Sequence, residues 1–229
     1  MIPLKDMTPR RSFPIITILL IAANIAVFVY QLSLSPKALE AFISTYALIP
    51  WKMHLALEGR HYTLIQGFLP LVTCMFLHGG FLHIIGNMLF LWIFGGNVED
   101  RLGSVTYLPF YFICGIASGL SQAIFSWGSH VPSLGASGAI SGVLGAYLVF
   151  FPTSRILTLV PLFIIFFLAR IPAFVFIGLW FIVQFLSGVN SLASASSGGV
   201  AWWAHVGGFL VGVIFALILK PSRKANVSY

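Results

Sequence analysis

Charge is what this sequence lacks most. Only 7% of its 229 residues are Asp, Glu, Lys or Arg, against 59% hydrophobic residues and a mean hydropathy of +1.00. No soluble domain of this size carries so little charge, so the composition excludes a water-exposed fold and implies a polytopic membrane protein. Acids are scarcer still: Asp6, Glu40, Glu58, Glu99 and Asp100 are the whole set, and none follows position 100. Chemistry in the second half of the chain must therefore run without a carboxylate. Cysteine is nearly absent. Cys74 and Cys114 stand in apolar surroundings without metal-ligand spacing and read as small buried hydrophobes, so no metal or cofactor site is expected. The formal charge of +7 comes from residues such as Lys5, Arg10, Arg11, Lys220, Arg223 and Lys224, which flank apolar runs and form no basic face. They read as topology signals rather than as a nucleic-acid surface.

What is present is a series of long apolar runs. Residues 1–12 form a basic N-terminus, and Phe13 to about Leu34 is long enough to cross a bilayer, at about 20 residues per crossing. Its end, near Gln31-Leu32-Ser33, lacks a small-x-small cleavage site, so it reads as a retained span rather than a signal peptide. Residues 35–70 mix Lys37, Glu40, Lys52, Glu58 and Arg60 with Phe42, Tyr46, Trp51 and Leu64, as expected of an outer loop with amphipathic pieces lying in the membrane interface. A second span is expected from Phe81 to Phe94, closed by a polar turn from Gly95 to Arg101. A third follows from Tyr107 to Phe125, and a fourth opens at Ser137 and ends near Pro152. Ile156–Ala169, bracketed by Arg155 and Arg170 and containing Pro161, is short for a span and is expected to dip into or lie on the cytoplasmic interface. Pro172–Leu186 reads as the fifth span, Ser187–Gly199 as a loop, Val200–Leu219 as the sixth span and 220–229 as a basic tail. The expected fold is thus an all-α, six-helix membrane domain over residues 13–219. An even number of spans puts Lys5, Arg10, Arg11, Arg101, Arg155, Arg170, Lys220, Arg223 and Lys224 on one side, which the positive-inside rule makes cytoplasmic, with both termini.

Polar side chains inside such spans are candidates for function. They are His83 and Asn87 in the second span, Ser137 and Ser141 in the fourth, and His205 in the sixth. With the N-terminus inside, these three spans run in the same direction, and His83, Asn87, Ser137 and His205 fall within about the first two turns of their helices, roughly 10 Å from the outer face. Ser137 opens a helix between Gly135 and Gly138, where free N–H groups favour developing negative charge. A serine hydroxyl needs a base, and His205 is the candidate; His83 and Asn87, four apart on one face, can donate with the Ser137 N–H to an oxyanion. The absence of acids leaves a Ser/His dyad rather than a triad. Against this stands a plainer reading in which the small residues at Gly138, Gly142, Gly208 and Gly212 only pack helices, and each polar group only bonds across an interface. The joint placement of all four polar groups at one depth favours chemistry. His54, His61, His78 and His130 read as loop or interface residues, and Trp202 and Trp203 as interfacial anchors.

These motifs resemble those of the rhomboid intramembrane serine proteases in their basic six-span prokaryotic form. Gly135-Ala136-Ser137-Gly138 resembles the family's GxSG motif, His83 to Asn87 its HxxxN motif, and Ala204-His205 through Gly208 and Gly212 its AHxxGxxxG motif; the resemblance covers about Val72 to Leu219. It implies catalytic Ser137 and His205, oxyanion contacts from His83 and Asn87, single-pass transmembrane proteins as substrates, and residence in the cell (inner or plasma) membrane. Two departures stand out. Many relatives place an aromatic four residues after the serine, against the histidine ring, where this chain has Ser141. Relatives often carry Trp-Arg ahead of the second span, where this chain reads Leu69-Pro70. The alternative of another class is a rhomboid-like protein that binds membrane helices without cutting them. A transporter would call for internal repeats or paired mid-membrane charges, and neither is seen.

Overall fold

The computed structural model describes residues 1–162, 165–193 and 200–219. Among them, five helices are long and apolar enough to cross a bilayer: α1 (Ile15–Ser33), Phe81–Leu102, α8 (Ser104–Phe125), α10 (Ala173–Ala193) and α11 (Trp202–Leu219). The remaining expected span, α9 (Ser137–Phe150), has 14 residues. That is about 21 Å of helix against a hydrocarbon core of about 30 Å, so α9 alone is too short to reach both faces. Every residue of α9 from Gly138 to Tyr147 is buried, and the other elements are arranged around it. The core is filled by Phe94, Phe110, Tyr111, Val143, Leu144 and Tyr147. The protein is therefore a helical, multi-pass membrane fold.

The crossing of α9 and α11 explains why small residues recur on both. A Cβ added at Gly208 would lie 2.1 Å from the Gly138 carbonyl oxygen, one at Gly212 2.0 Å from that of Gly142, and one at Gly145 2.3 Å from that of Phe209. Backbone rests on backbone along this seam, as only glycine permits.

The second span differs from the expected one. Helix α6 (Phe81–Phe90) does not end at a polar turn: it passes through a π-helical turn (Leu91–Gly95) into α7 (Gly96–Leu102). The polar residues there are anchors. Glu99, buried, accepts from the amides of Ile16 (2.9 Å) and Thr17 (2.8 Å), from Thr17 Oγ1 (2.8 Å) and from Ser104 Oγ (2.6 Å). A carboxylate thus caps the first turn of α1, where free N–H groups and the helix dipole favour it. Asp100 accepts from the Arg11 amide and the Ser12 hydroxyl, and Asn97 donates to Asp6.

The stretch after α9 also departs from expectation. Where an all-α fold was expected, it forms a hairpin, β2 (Arg155–Leu162) with β3 (Ile165–Pro172), and β1 (Ile2–Asp6) from the N-terminus pairs with β2 to make a three-stranded antiparallel sheet in the order β1-β2-β3. Pro161 is tolerated because β1 pairs only as far as Leu159, so its missing N–H falls where β2 has one neighbour. Helix α10 runs on to Ala193, so residues 187–193 are helical rather than loop, with Ser191 Oγ donating to the Gly188 carbonyl (2.6 Å). Residues 194–199 and the basic tail 220–229 lie outside the described residues.

Residues 35–70 contain α2 (Pro36–Tyr46), α3 (Pro50–Leu57) and α4 (Leu64–Phe68), and a short helix α5 (Pro70–Thr73) follows. Thr63 and Gln66 close a reciprocal capping box on α4. Without a Trp-Arg pair, this region is fastened to the loop ahead of α9. Leu48 and Ser133 exchange backbone hydrogen bonds (3.0 and 2.8 Å), Trp51 N donates to Ser129 O (3.0 Å), and the rings of Trp51 and His130 (4.4 Å) and of His54 and Trp127 (4.9 Å) pack together.

Candidate active site

The loop so clamped delivers Ser137. Its last turn is held from below by the Gly135 amide, which donates to the Cys74 carbonyl at 2.9 Å. Gly135 has φ +121°, a conformation that L side chains rarely adopt, and a Cβ there would lie 2.7 Å from His83 Nε2 and 3.5 Å from Asn87 Nδ2. Glycine thus lets the His83 ring and the Asn87 amide pack directly against the backbone ahead of α9. Ser137 is the first residue of α9, so its N–H is among the four that no helical carbonyl satisfies.

His205 lies in the first turn of α11, and the α9–α11 seam brings its Nε2 to 2.8 Å from Ser137 Oγ, across 68 residues of sequence. Its Nδ1 lies 2.7 Å from Oε1 of Gln184, a buried residue of α10. The Trp180 ring, one turn earlier on α10, packs 6.0 Å from the imidazole, and Trp202 meets it edge-on at 6.3 Å. The wall that an aromatic at position 141 would have supplied is therefore built from α10 and α11. Ser141 instead donates back to the Ser137 carbonyl at 2.6 Å, a local bond that keeps its hydroxyl away from the imidazole.

On the facing helix, the Gly79 amide donates to His83 Nδ1 (3.4 Å). That assigns the ring proton to Nε2, the nitrogen that faces Gly135. Asn87 Nδ2 is buried without a hydrogen-bond partner. A buried amide donor left unpaired costs free energy in the resting protein, and here it points to a group that binds later. Side chains from α6, α9, α10 and α11 thus meet in one cluster: a hydroxyl bonded to an imidazole, and two N–H donors beside Gly135.

Of the five polar residues singled out in the sequence, His83, Asn87, Ser137 and His205 are in this cluster, and Ser141 turns its hydroxyl back onto its own helix. Gly135, Gly138, Gly142, Gly208 and Gly212 are where the backbones come closest, Gly138 also packing on Ser118. Gln184 is the member that the sequence reading missed, and a lone polar residue in the fifth span was the available signal. The surroundings of several loop and interface residues differ from a plain surface. His78 lies in the loop ahead of α6 but is buried there, its backbone clasped by Gln31 of α1 (3.0 and 3.2 Å) and its ring 5.1 Å from that of His83. Trp203 is buried and stacked on Phe125 at 3.9 Å. His54 and His130 join the loop clamp. Among the described residues, no three His, Cys, Asp or Glu side chains converge to hold a metal, and Cys74 and Cys114 are free and buried.

Comparison with known proteins agrees with this architecture. Residues 66–222 match the Rhomboid domain. The chain is 33% identical to RHOMBOID-like protein 5 of Arabidopsis thaliana over 153 residues, 66% of this chain and 44% of that protein. It is 30% identical to the mitochondrial Rhomboid protein 1 of Saccharomyces cerevisiae over 211 residues, 89% of this chain and 53% of that protein. Over 78 residues it is 44% identical to Rhomboid protease GluP of Bacillus subtilis, 34% of this chain and 15% of that protein. The chain thus spans between 15% and 53% of the lengths of these relatives. With the domain match running over most of the chain, from the helices ahead of α6 to the end of α11, this protein belongs to the rhomboid family.

Proposed function

We propose that this protein is an intramembrane serine endopeptidase that cleaves single-pass transmembrane proteins with a Ser137/His205 dyad. The observation that carries the reading is the 2.8 Å contact between Ser137 Oγ and His205 Nε2. In the first step the Ser137 oxygen attacks the scissile carbonyl carbon while its proton passes to Nε2. The carbonyl oxygen becomes an oxyanion, which the Ser137 N–H and the Asn87 Nδ2 and His83 Nε2–H groups beside Gly135 stabilise. As the tetrahedral adduct collapses, the C–N bond breaks and His205 returns the proton to the leaving amine. Water then repeats the sequence on the acyl-enzyme and frees the new carboxylate. A peptide bond inside a helix is shielded by its own hydrogen bonds, so the substrate must unwind locally, and Gly, Pro or Ser near the bond favours cleavage. In a cell membrane, the charge distribution supports an orientation with the basic termini in the cytoplasm and the dyad near the outer face.

The test is labelling of the detergent-solubilised protein by a fluorophosphonate, together with cleavage of a transmembrane reporter in proteoliposomes. Both should disappear in Ser137→Ala and in His205→Ala while the folded helical signal is kept. A folded wild type that neither labels nor cuts would leave a helix-binding protein as the function.

A further inference from the structure

Gln184 occupies the place beside the histidine that a carboxylate takes in a Ser-His-Asp triad, and the chain has no acid after Asp100 to fill it. An amide oxygen only accepts, so Oε1 at 2.7 Å from Nδ1 requires the imidazole proton on Nδ1. The other nitrogen then carries a lone pair, and it is the one 2.8 Å from Ser137 Oγ. With the opposite tautomer, Nε2–H would donate to the serine and could not take its proton. Gln184 is nine-tenths buried, and Trp180, one turn before it on α10, walls the same ring. One face of α10 thus both orients the imidazole and shields it. When the proton arrives at Nε2, the Nδ1–H···O bond becomes charge-assisted and strengthens as the imidazolium forms.

We propose that Gln184 is a positioning residue of this site: it fixes the His205 tautomer and steadies the imidazolium, as a neutral third member behind the serine and histidine. This rests on the Ser137/His205 reading. The experiment measures fluorophosphonate labelling rates from pH 4 to 9 for wild type, Gln184→Met, Gln184→Glu, Ser137→Ala and His205→Ala, with kcat and KM on a transmembrane reporter. Gln184→Met keeps the size of the side chain and removes the acceptor. It should lower the labelling rate and kcat by about 10- to 100-fold with KM little changed. Gln184→Glu restores an acceptor and adds charge, so it should recover labelling and move the acidic limb of the profile to higher pH by a unit or more. If Gln184 only packs, Met and Glu behave alike and neither moves that limb; this result, or a wild-type rate in Gln184→Met, overturns the proposal. Should Gln184→Met fail to fold, the acidic limb of Gln184→Glu decides by itself. A folded wild type that does not label removes the dyad and this role with it. Labelling that needs Ser137 and His205 but ignores both Gln184 variants removes only this role.

Discussion

Replacing Gly212 by alanine tests whether the α9–α11 seam sets the distance between the serine and the histidine. The added Cβ would stand 2.0 Å from the Gly142 carbonyl oxygen and 2.6 Å from its Cα. Even a close C–H···O contact keeps carbon and oxygen about 3.3 Å apart, so the helices must part locally by about 1.3 Å. The Gly208 contact, one turn nearer His205, offers no slack to absorb this by tilting, because a Cβ there would already be 2.1 Å from the Gly138 oxygen. His205 is two turns from Gly212 on the same helix and moves with it, stretching the 2.8 Å contact towards about 4 Å, beyond hydrogen-bond reach. A misplacement of about 1 Å costs on the order of 100-fold in rate, and overpacking of this kind costs about 1–3 kcal/mol in stability. The assay is reporter cleavage and fluorophosphonate labelling in proteoliposomes, with thermal unfolding in detergent. Gly178→Ala and Gly86→Ala are the controls, since an added Cβ meets nothing within 4 Å at either position. Gly212→Ala should be folded, modestly destabilised and at least 100-fold slower, with both controls near wild type. A folded Gly212→Ala that cuts at the wild-type rate would refute the claim that this seam sets the catalytic distance.

Three further outcomes follow from the same geometry. Asn87→Ala removes a buried donor that has no partner in the resting protein, so the unfolding temperature should hold while kcat falls by about 10²- to 10³-fold; an unchanged kcat would remove Asn87 from the oxyanion site. Glu99→Gln puts an amide among four donors at the start of α1, and should lower stability by about 2–4 kcal/mol in an SDS or thermal unfolding titration, whereas loss of less than about 0.5 kcal/mol would mean the carboxylate is not the cap. Burial first of all, and then the neighbouring His83, push the pKa of His78 down to about 4. The unfolded chain therefore binds a proton there before the folded one does. Stability is complete above about pH 6.5 and declines by up to about 3 kcal/mol as pH falls towards 4. His78→Phe should flatten that dependence, and an unchanged slope between pH 7 and 4.5 would show that the ring titrates elsewhere.

Much of this protein follows from local pattern. Long apolar runs mark α1, α8, α10 and α11, because hydrocarbon forces each segment to satisfy its own backbone as a helix. The small residues at 135, 138, 142, 208 and 212 and the polar ones at 83, 87, 137 and 205 stand out because such residues are rare inside spans, and a shared helix direction is enough to bring them to one depth. The features that local pattern left open depend on partners far away in sequence. A short apolar run such as Ile156–Ala169 has no period that tells strand from helix, and what makes it a hairpin includes pairing with Ile2–Asp6, some 150 residues earlier. Glu99 looks like turn polarity until α1 presents its free amides to it. Gln184 has neither charge nor motif, and only the packing of α10 against α11 sets its oxygen on His205 Nδ1. Sequence determined which segments cross and which groups can react; tertiary structure decided what each group faces, because hydropathy acts residue by residue whereas tautomer, cap and strand pairing are properties of contacts.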